Sequence, residues 1–508
     1  MPENSNAKGY AEIKEEAQMR GADKKRFNAG RRDFIKTLTI AGVAATLPTG
    51  ALADMSNEEV PRPKRAGGKN GLLCLSSNPE THEKFIGSIG SIPGTALQVS
   101  SVKVNYQNPE EIVRVIHEHA MDILLLILPR MTFSFGKLCD AMGDLDIPVI
   151  VLTTNPELIP IDANLASSLR GNGANVTFAI SQEQAIERIR IAALPMLLEG
   201  QRAVLYGRPF DSTTVTSHNL NEEIIYRRTG VKIMFRPIEE LAELYKKVDE
   251  KDAVREMERW KGEAKEVIGI PDKNILDACR LYILLRSIID KEGLSAVSID
   301  CLGFTMSPNP VLPYPCLAFA RLRDEGITAA CEADVCSMLS SMFMEQVSRR
   351  PSFMCNLMTA NPGESKITVS HCVAPLKLMG LDAPQMRYKI HDYHGSGRGA
   401  VPEVEFPAHG QVLVGGFSKD LKTFTLWPGR IEAQVMDTEK STSKRGPMNN
   451  VCANTMDLKI RDADRFMQNI PGLHQIMVLA NYTGAYEDAL TGMNVKISGP
   501  MDFTPFIA

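Results

Sequence analysis

From Gly71 onward the chain alternates between two hydrophobic rhythms. Gly71 to Leu75 is a short apolar run, and Pro109 to Ala120 sets Ile112, Val113, Val115 and Ile116 on one helical face. Asp122 to Leu128 (DILLLIL) and Pro148 to Thr153 are apolar almost throughout, as parallel strands covered on both sides should be. Ser181 followed three residues later by Gln184 is a capping pattern for a helix reaching toward Glu199. The rhythm then restarts with strand Arg202 to Tyr206, helix Asn219 to Arg228 and strand Lys232 to Phe235. Two long helical stretches, Ile238 to Val267 and Lys273 to Lys291, and strand Ala296 to Ile299 follow. This alternation predicts two doubly wound α/β domains.

Past residue 360 the rhythm shortens. Lys366 to Ser370, Met386 to Ile390, Gln411 to Val414, Lys422 to Trp427 and Arg430 to Val435 read as short alternating strands separated by Gly, Pro and Asp. They predict an antiparallel sheet or barrel. Leu317 to Gln346 joins the two regions and turns strongly helical after Asp334. The expected fold class is therefore α/β: two doubly wound domains, 71–190 and 191–357, then a β-rich, barrel-like C-terminal domain, 358–508.

The first 53 residues read as a leader instead. Arg31-Arg32-Asp33-Phe34-Ile35-Lys36 precedes an uncharged stretch, Thr37 to Leu47, and then Pro48 and Ala51-Leu52-Ala53. A basic segment, a modest apolar segment and an A-x-A site together mark a cleavable signal peptide. The paired arginines resemble a bacterial twin-arginine leader, which implies the twin-arginine export machinery as a partner and a periplasmic location after cleavage at Ala53. Such export carries proteins that have already folded, often around a metal or cofactor. Residues 54–70, with Pro61, Pro63, Gly67 and Gly68, read as a linker.

Composition narrows the class further. The 508 residues are 44% hydrophobic and 23% charged, which excludes collagen-like, wholly disordered and disulfide-scaffold proteins. A formal charge of −4 argues against nonspecific nucleic-acid binding as the main activity. No apolar run after the leader reaches the roughly 20 residues that a membrane span requires. The ten cysteines form no C-x-x-C pair and several lie in apolar runs, so they are expected to be mostly free and structural.

The glycine loops Gly395-Ser396-Gly397-Arg398-Gly399 and Gly171-Asn172-Gly173 lack a strand–helix context and read as turns. No P-loop, G-x-S-x-G or H-E-x-x-H occurs. The informative stretch runs from Arg321 to Val335 and places Glu332 and Asp334 among small and apolar residues. Carboxylates in such surroundings are costly unless they meet a metal or a cation. Asn356, the pair His371-Cys372 and a late His474 follow.

This order resembles the L-fucose/L-arabinose isomerase superfamily, over the chain from about Gly71 to its end. The residues that carry the resemblance are the strand Ala296 to Cys301, Pro315-Cys316, the segment Asp324 to Asp334, His371-Cys372 and His474. The resemblance implies a small sugar as substrate, a homo-oligomer with sites near subunit boundaries, and a divalent metal, usually manganese. Glu332 would be the first acidic ligand, His371 and His474 the histidines, and Asn356 falls at the second acidic position. The implied reaction moves a proton between C1 and C2 of an open-chain sugar through an enediol, whose growing negative charge a metal stabilises while a carboxylate moves the proton. An amide at 356 can ligate a cation but supplies neither charge nor a base; Asp334 is the nearby carboxylate that could compensate.

Each residue has a plainer alternative. Glu332 would also suit the start of the following helix, and His371 and His474 could be satisfied core histidines. His391, His394 and Arg398, in a polar Gly-rich loop, are candidates for sugar hydroxyls or a carboxylate, or else belong to a solvated loop. His117 and His119 read as surface residues. Beside the isomerase reading stand a noncatalytic sugar-binding protein on the same fold, favoured by Asn356 and the leader, and a twin-arginine-dependent oxidoreductase.

Overall fold

The DILLLIL run becomes the middle strand of a five-stranded parallel sheet. The computed structural model describes residues 70–119, 121–131, 135–142, 145, 147–209, 220–305, 310–434, 452–480 and 484–500. The leader at 1–53 and all but the last residue of the 54–70 linker lie outside the described residues. The sheet comprises β1 (Gly71–Ser76), β2 (Gln98–Lys103), β3 (Ile123–Ile127), β4 (Val149–Leu152) and β5 (Val176–Ala179), in the order β2-β1-β3-β4-β5.

Alternate residues of these strands feed two separate cores. Leu124, Leu126, Val149 and Val151 pack with Ile112, Val115, Leu138 and Leu165. Ile123, Leu125, Ile127 and Ile150 pack instead with Phe85, Ile89, Ala185 and Ile189. Helices therefore cover both faces, which is why the central strands tolerate no polar position.

The next strands are β6 (Arg202–Tyr206), β7 (Lys232–Arg236), β8 (Glu266–Val267), β9 (Ala296–Ile299) and β10 (Thr328–Ala330). Four of them form a second parallel sheet in the order β10-β9-β6-β7, the same winding as the first four strands of the first sheet. The stretch expected as one helix over Ile238 to Val267 divides into helices Ile238–Tyr245 and Glu250–Glu263, and then the short β8. Asp249 breaks it: its side chain accepts the Lys251 N–H at 2.9 Å and caps the second helix. β8 is drawn into pairing by tertiary contact, lying parallel to Lys389 and Ile390.

The rest of the chain contributes β11 (Phe353–Asn361), β12 (Lys366–His371), β13 (Tyr388–His391), β14 (Val401–Val404), β15 (Gln411–Phe417), β16 (Thr423–Gln434), β17 (Asn454–Ile460), β18 (His474–Val478) and β19 (Lys496–Ser498). Six run antiparallel around a closed ring, β15-β18-β11-β12-β17-β16 and back to β15, while β19 joins β16 in parallel. β13 and β14 form a small sheet with β8. The fold is thus mixed α/β, with two parallel sheets and a closed antiparallel barrel.

Helix Val335–Ser348 is buried along nearly its whole length between the second sheet and the barrel. Phe343 on it meets Phe417, Phe424 and Tyr486 at ring-centroid distances of 5.8, 5.0 and 6.0 Å. One apolar core runs unbroken from Ile191 to Val495, so the second sheet and the barrel share an interior. No helix of the described residues is long and apolar enough to cross a membrane. All ten cysteines are free, and nine are buried.

Candidate metal centre

The centre starts at the carboxyl edge of the second sheet, where open parallel sheets place their ligands. Two residues beyond β10 the backbone makes an unusual turn: Glu332 (φ 62°) and Ala333 (φ 54°) are both left-handed, and neither is glycine. Each such residue costs roughly 1–2 kcal/mol. The turn is anchored on the end of β9: Ala333 N–H donates to Ile299 O at 3.0 Å and Glu332 N–H to Cys301 Sγ at 3.3 Å. Strain retained in this way aims the Glu332 side chain out of the sheet toward the barrel.

The barrel supplies the other residues. His474 opens β18 and stands directly opposite Asn356 of β11, which in turn stands opposite Ser370 of β12; His371 is the last residue of β12. Directly opposed residues on antiparallel strands project to the same face, so Asn356 and His474 are side by side. His474 Nε2 lies 3.4 Å from Glu332 Oε2 and His371 Nε2 lies 3.8 Å from Glu332 Oε1. The two imidazoles cross edge to face at 5.5 Å. One donor atom from each of Glu332, His371 and His474 lies within 4.8 Å of the others. Ligands about 2.0–2.6 Å from a single ion sit within about 5 Å of one another.

Two buried polar atoms point to the same conclusion. Asn356 Oδ1 has no hydrogen-bond partner, and His474 Nε2 meets the Glu332 carboxylate without a well-aligned bond. Buried polar groups left like this are costly unless something else satisfies them. Burial pushes the Glu332 carboxyl up, but the imidazoles beside it outweigh that and hold it well below the usual carboxylate range. Burial pulls His474 down, while Asp334 and Glu332 together raise it to about 10. A group of anionic and imidazole donors this tightly coupled is one that a cation could replace the proton in.

Asp334 sits behind this group. Its Oδ2 accepts from His474 Nδ1 at 2.8 Å and from Ser337 Oγ at 2.6 Å, and its Oδ1 accepts the Ser337 N–H at 3.0 Å. It caps helix Val335–Ser348, the place at which Glu332 could also have served. Arg323 and Asp324, from the same stretch of sequence, are buried supports. Arg323 donates to the Ala329, Ser352 and Val373 carbonyls, and Asp324 accepts the Leu376 and Lys377 N–H groups.

The Gly-rich loop divides its residues. His394 turns inward against two sulfurs, Cys372 Sγ at 3.0 Å and Cys452 Sγ at 3.2 Å. His391 Nε2 lies 3.9 Å from the buried Glu403 carboxylate, and Arg398 is exposed. Gly395, Gly397 and Gly399 take φ of 70°, 71° and 67°, so they serve a turn wrapped on Asp392. Cys372, His394 and Cys452 form a second group able to hold a metal, which sequence spacing did not reveal. His117 is exposed, and His119 engages the Val115 carbonyl at 2.8 Å.

No family model matches the chain. A sulfoquinovose isomerase from Clostridium sp. (strain MSTE9) is 33% identical to it over 104 residues, which make up 20% of this chain. The match spans 22% of that relative's length. Part of the chain is therefore similar to a sugar isomerase, and the described residues include two groups that could hold a metal ion.

Proposed function

We propose that the chain is a metal-dependent sugar isomerase, moving a proton between neighbouring carbons of an open-chain sugar. The observation that carries this reading is the convergence of Glu332, His371 and His474 beside the unsatisfied Asn356 Oδ1. The similarity to a sulfoquinovose isomerase supports a sugar as the substrate class. The donor set of one carboxylate, two imidazoles and one amide oxygen suits a divalent first-row cation, and manganese is the one the family resemblance implies. When bound, such a cation supplies positive charge to adjacent sugar oxygens.

The chain's own residues supply the rest. Asp334 fixes the His474 ring so that Nε2 faces Glu332. The left-handed turn presents Glu332, the single carboxylate of the group, which is the residue to hold or move the proton. His391 and Arg398 are proposed to lie along the sugar's path, whereas His394 is turned inward against Cys372 and Cys452. Manganese-loaded protein is expected to interconvert at least one aldose–ketose pair of a sugar panel, and Glu332→Gln should lower turnover by roughly 100-fold or more. A protein that binds no divalent metal and turns over equally well as Glu332→Gln would overturn the reading.

A second reading is favoured by Asn356. With an amide in place of a second acid, the group carries one formal charge fewer, and a sugar-binding protein without turnover would suit it. A ligand-dependent rise in melting temperature across the panel, with no product formed, would select that reading. Export and assembly belong to the proposal as well. Mass spectrometry of the protein from periplasm should place its N-terminus after Ala53, and light scattering should show an oligomer.

A further inference from the structure

One residue past His371, a different set of donors gathers. Cys372 Sγ lies 3.0 Å and Cys452 Sγ 3.2 Å from the same nitrogen, His394 Nε2, and all three atoms lie within 4.8 Å of one another. A ring nitrogen carries one hydrogen or one lone pair, so it makes one directed hydrogen bond, not two. Three donors converging on one point is instead the arrangement of a ligand set. Around a tetrahedral zinc, with Zn–S of about 2.3 Å and Zn–N of about 2.0–2.1 Å, such donors stand about 3.6 Å apart. The two nitrogen–sulfur distances, 3.0 and 3.2 Å, are shorter than that by about half an ångström, so a small outward shift of the ring would seat the ion.

Each donor is held from behind. His394 is left-handed (φ 56°), in a loop whose Gly395 N–H donates to Asp392 Oδ1 at 3.1 Å. Its ring stacks on Tyr393 at 4.0 Å, and Tyr393 rests on Tyr314 at 4.8 Å. The fully buried Asn454 donates to the Cys372 carbonyl at 3.1 Å and to the Pro402 carbonyl at 2.9 Å. The Cys452 carbonyl accepts from Thr455 Oγ1 at 2.8 Å. These contacts hold the backbone of Cys372 and Cys452 and the ring of His394 in place, which fixes where the three donor atoms meet.

We propose that Cys372, His394 and Cys452 form a second metal site, selective for a soft divalent cation of the zinc class, beside the harder Glu332, His371 and His474 group. Thiolate donors select zinc over manganese. Binding releases the two thiol protons to solvent, and two thiolates with a neutral imidazole balance the dication. Three protein donors leave a fourth position for water or another small ligand, the pattern of zinc sites that do more than hold a fold together.

The test uses full-length mature protein, purified under reducing conditions and dialysed against Zn²⁺, Mn²⁺ or Co²⁺. Wild type and Glu332→Gln should both retain zinc and, with cobalt, show near-ultraviolet thiolate-to-metal charge transfer. The Cys372→Ser/Cys452→Ser variant should lose that band and bind zinc more weakly by more than the roughly 10- to 100-fold that losing an outer-shell partner costs. His394→Gln, a loop substitution, should weaken zinc while leaving circular dichroism unchanged. Absence of thiolate charge transfer in the wild type would overturn the proposal without any variant having to fold. Isolation of a metal-free Cys372–Cys452 disulfide that stays metal-free after reduction and zinc addition would also overturn it. The Glu332→Gln arm keeps this result separate from the sugar reading.

Discussion

Asp334 accepts the Nδ1–H of His474 at 2.8 Å while its other oxygen caps the helix that begins at Val335. A single carboxyl thus orients a ring in the barrel and starts a helix packed on the second sheet. Asp334→Ala is expected to weaken manganese binding by roughly 10- to 100-fold and to cost about 1 kcal/mol of stability through the lost cap. Calorimetric manganese titration and thermal unfolding read the two effects separately. Unchanged manganese affinity in a folded variant would show that His474 needs no support from Asp334.

Asn356 stands opposite His474 with its Oδ1 unsatisfied. Asn356→Asp restores a second carboxylate at nearly constant shape, so manganese should bind more tightly and isomerase turnover should rise. If both stay at the wild-type level in parallel titrations and sugar assays, the 356 side chain does not face the cation.

Asp324 gives the expected pH dependence. Burial pushes its carboxyl up to about 7, although the Leu376 and Lys377 N–H groups pull the other way. An unfolded aspartate titrates near 3.9, so the folded chain holds this proton more tightly. The stabilisation is complete below about pH 4 and is lost as pH climbs toward about 7. Asp324→Asn keeps an oxygen for the two N–H groups and cannot ionise. Its denaturation midpoint should therefore fall less than that of the wild type between pH 5 and pH 8, and equal slopes would refute the assignment.

Gly415 lies in β15 opposite Leu426 of the paired strand β16. A Cβ at Gly415 would land on the Thr425 carbonyl, and both partners are backbone. Gly415→Ala should cost about 3 kcal/mol, whereas Gly416→Ala, whose methyl would meet the Ser340 hydroxyl at 3.2 Å, should cost less. Chemical denaturation of both variants compares them directly.

The parallel sheets were legible because burial on both faces leaves a local trace: Ile123 to Ile127 is apolar at every position. The break at Asp249 was hidden because helical spacing continues across it, and only the capping aspartate marks the new start. Glu332, His371 and His474 could be singled out as chemistry-bearing residues among apolar neighbours. Their convergence depends on strand register, which composition does not encode. The sulfur group left no motif, since Cys372, His394 and Cys452 come from three separate segments joined only by the barrel and the loop beside it. The role of Asp334 was obscured by Glu332, because either carboxylate could cap the same helix.

The closed ring also ties the centre to the strand that completes it. β18 is the strand that fits between β15 and β11, and its first residue is His474. Without that strand the ring is open and the Glu332 group lacks an imidazole. Closure of the barrel and convergence of Glu332, His371 and His474 therefore both require β18. A chain ending before β18 would lose the closure of the ring and the His474 imidazole together.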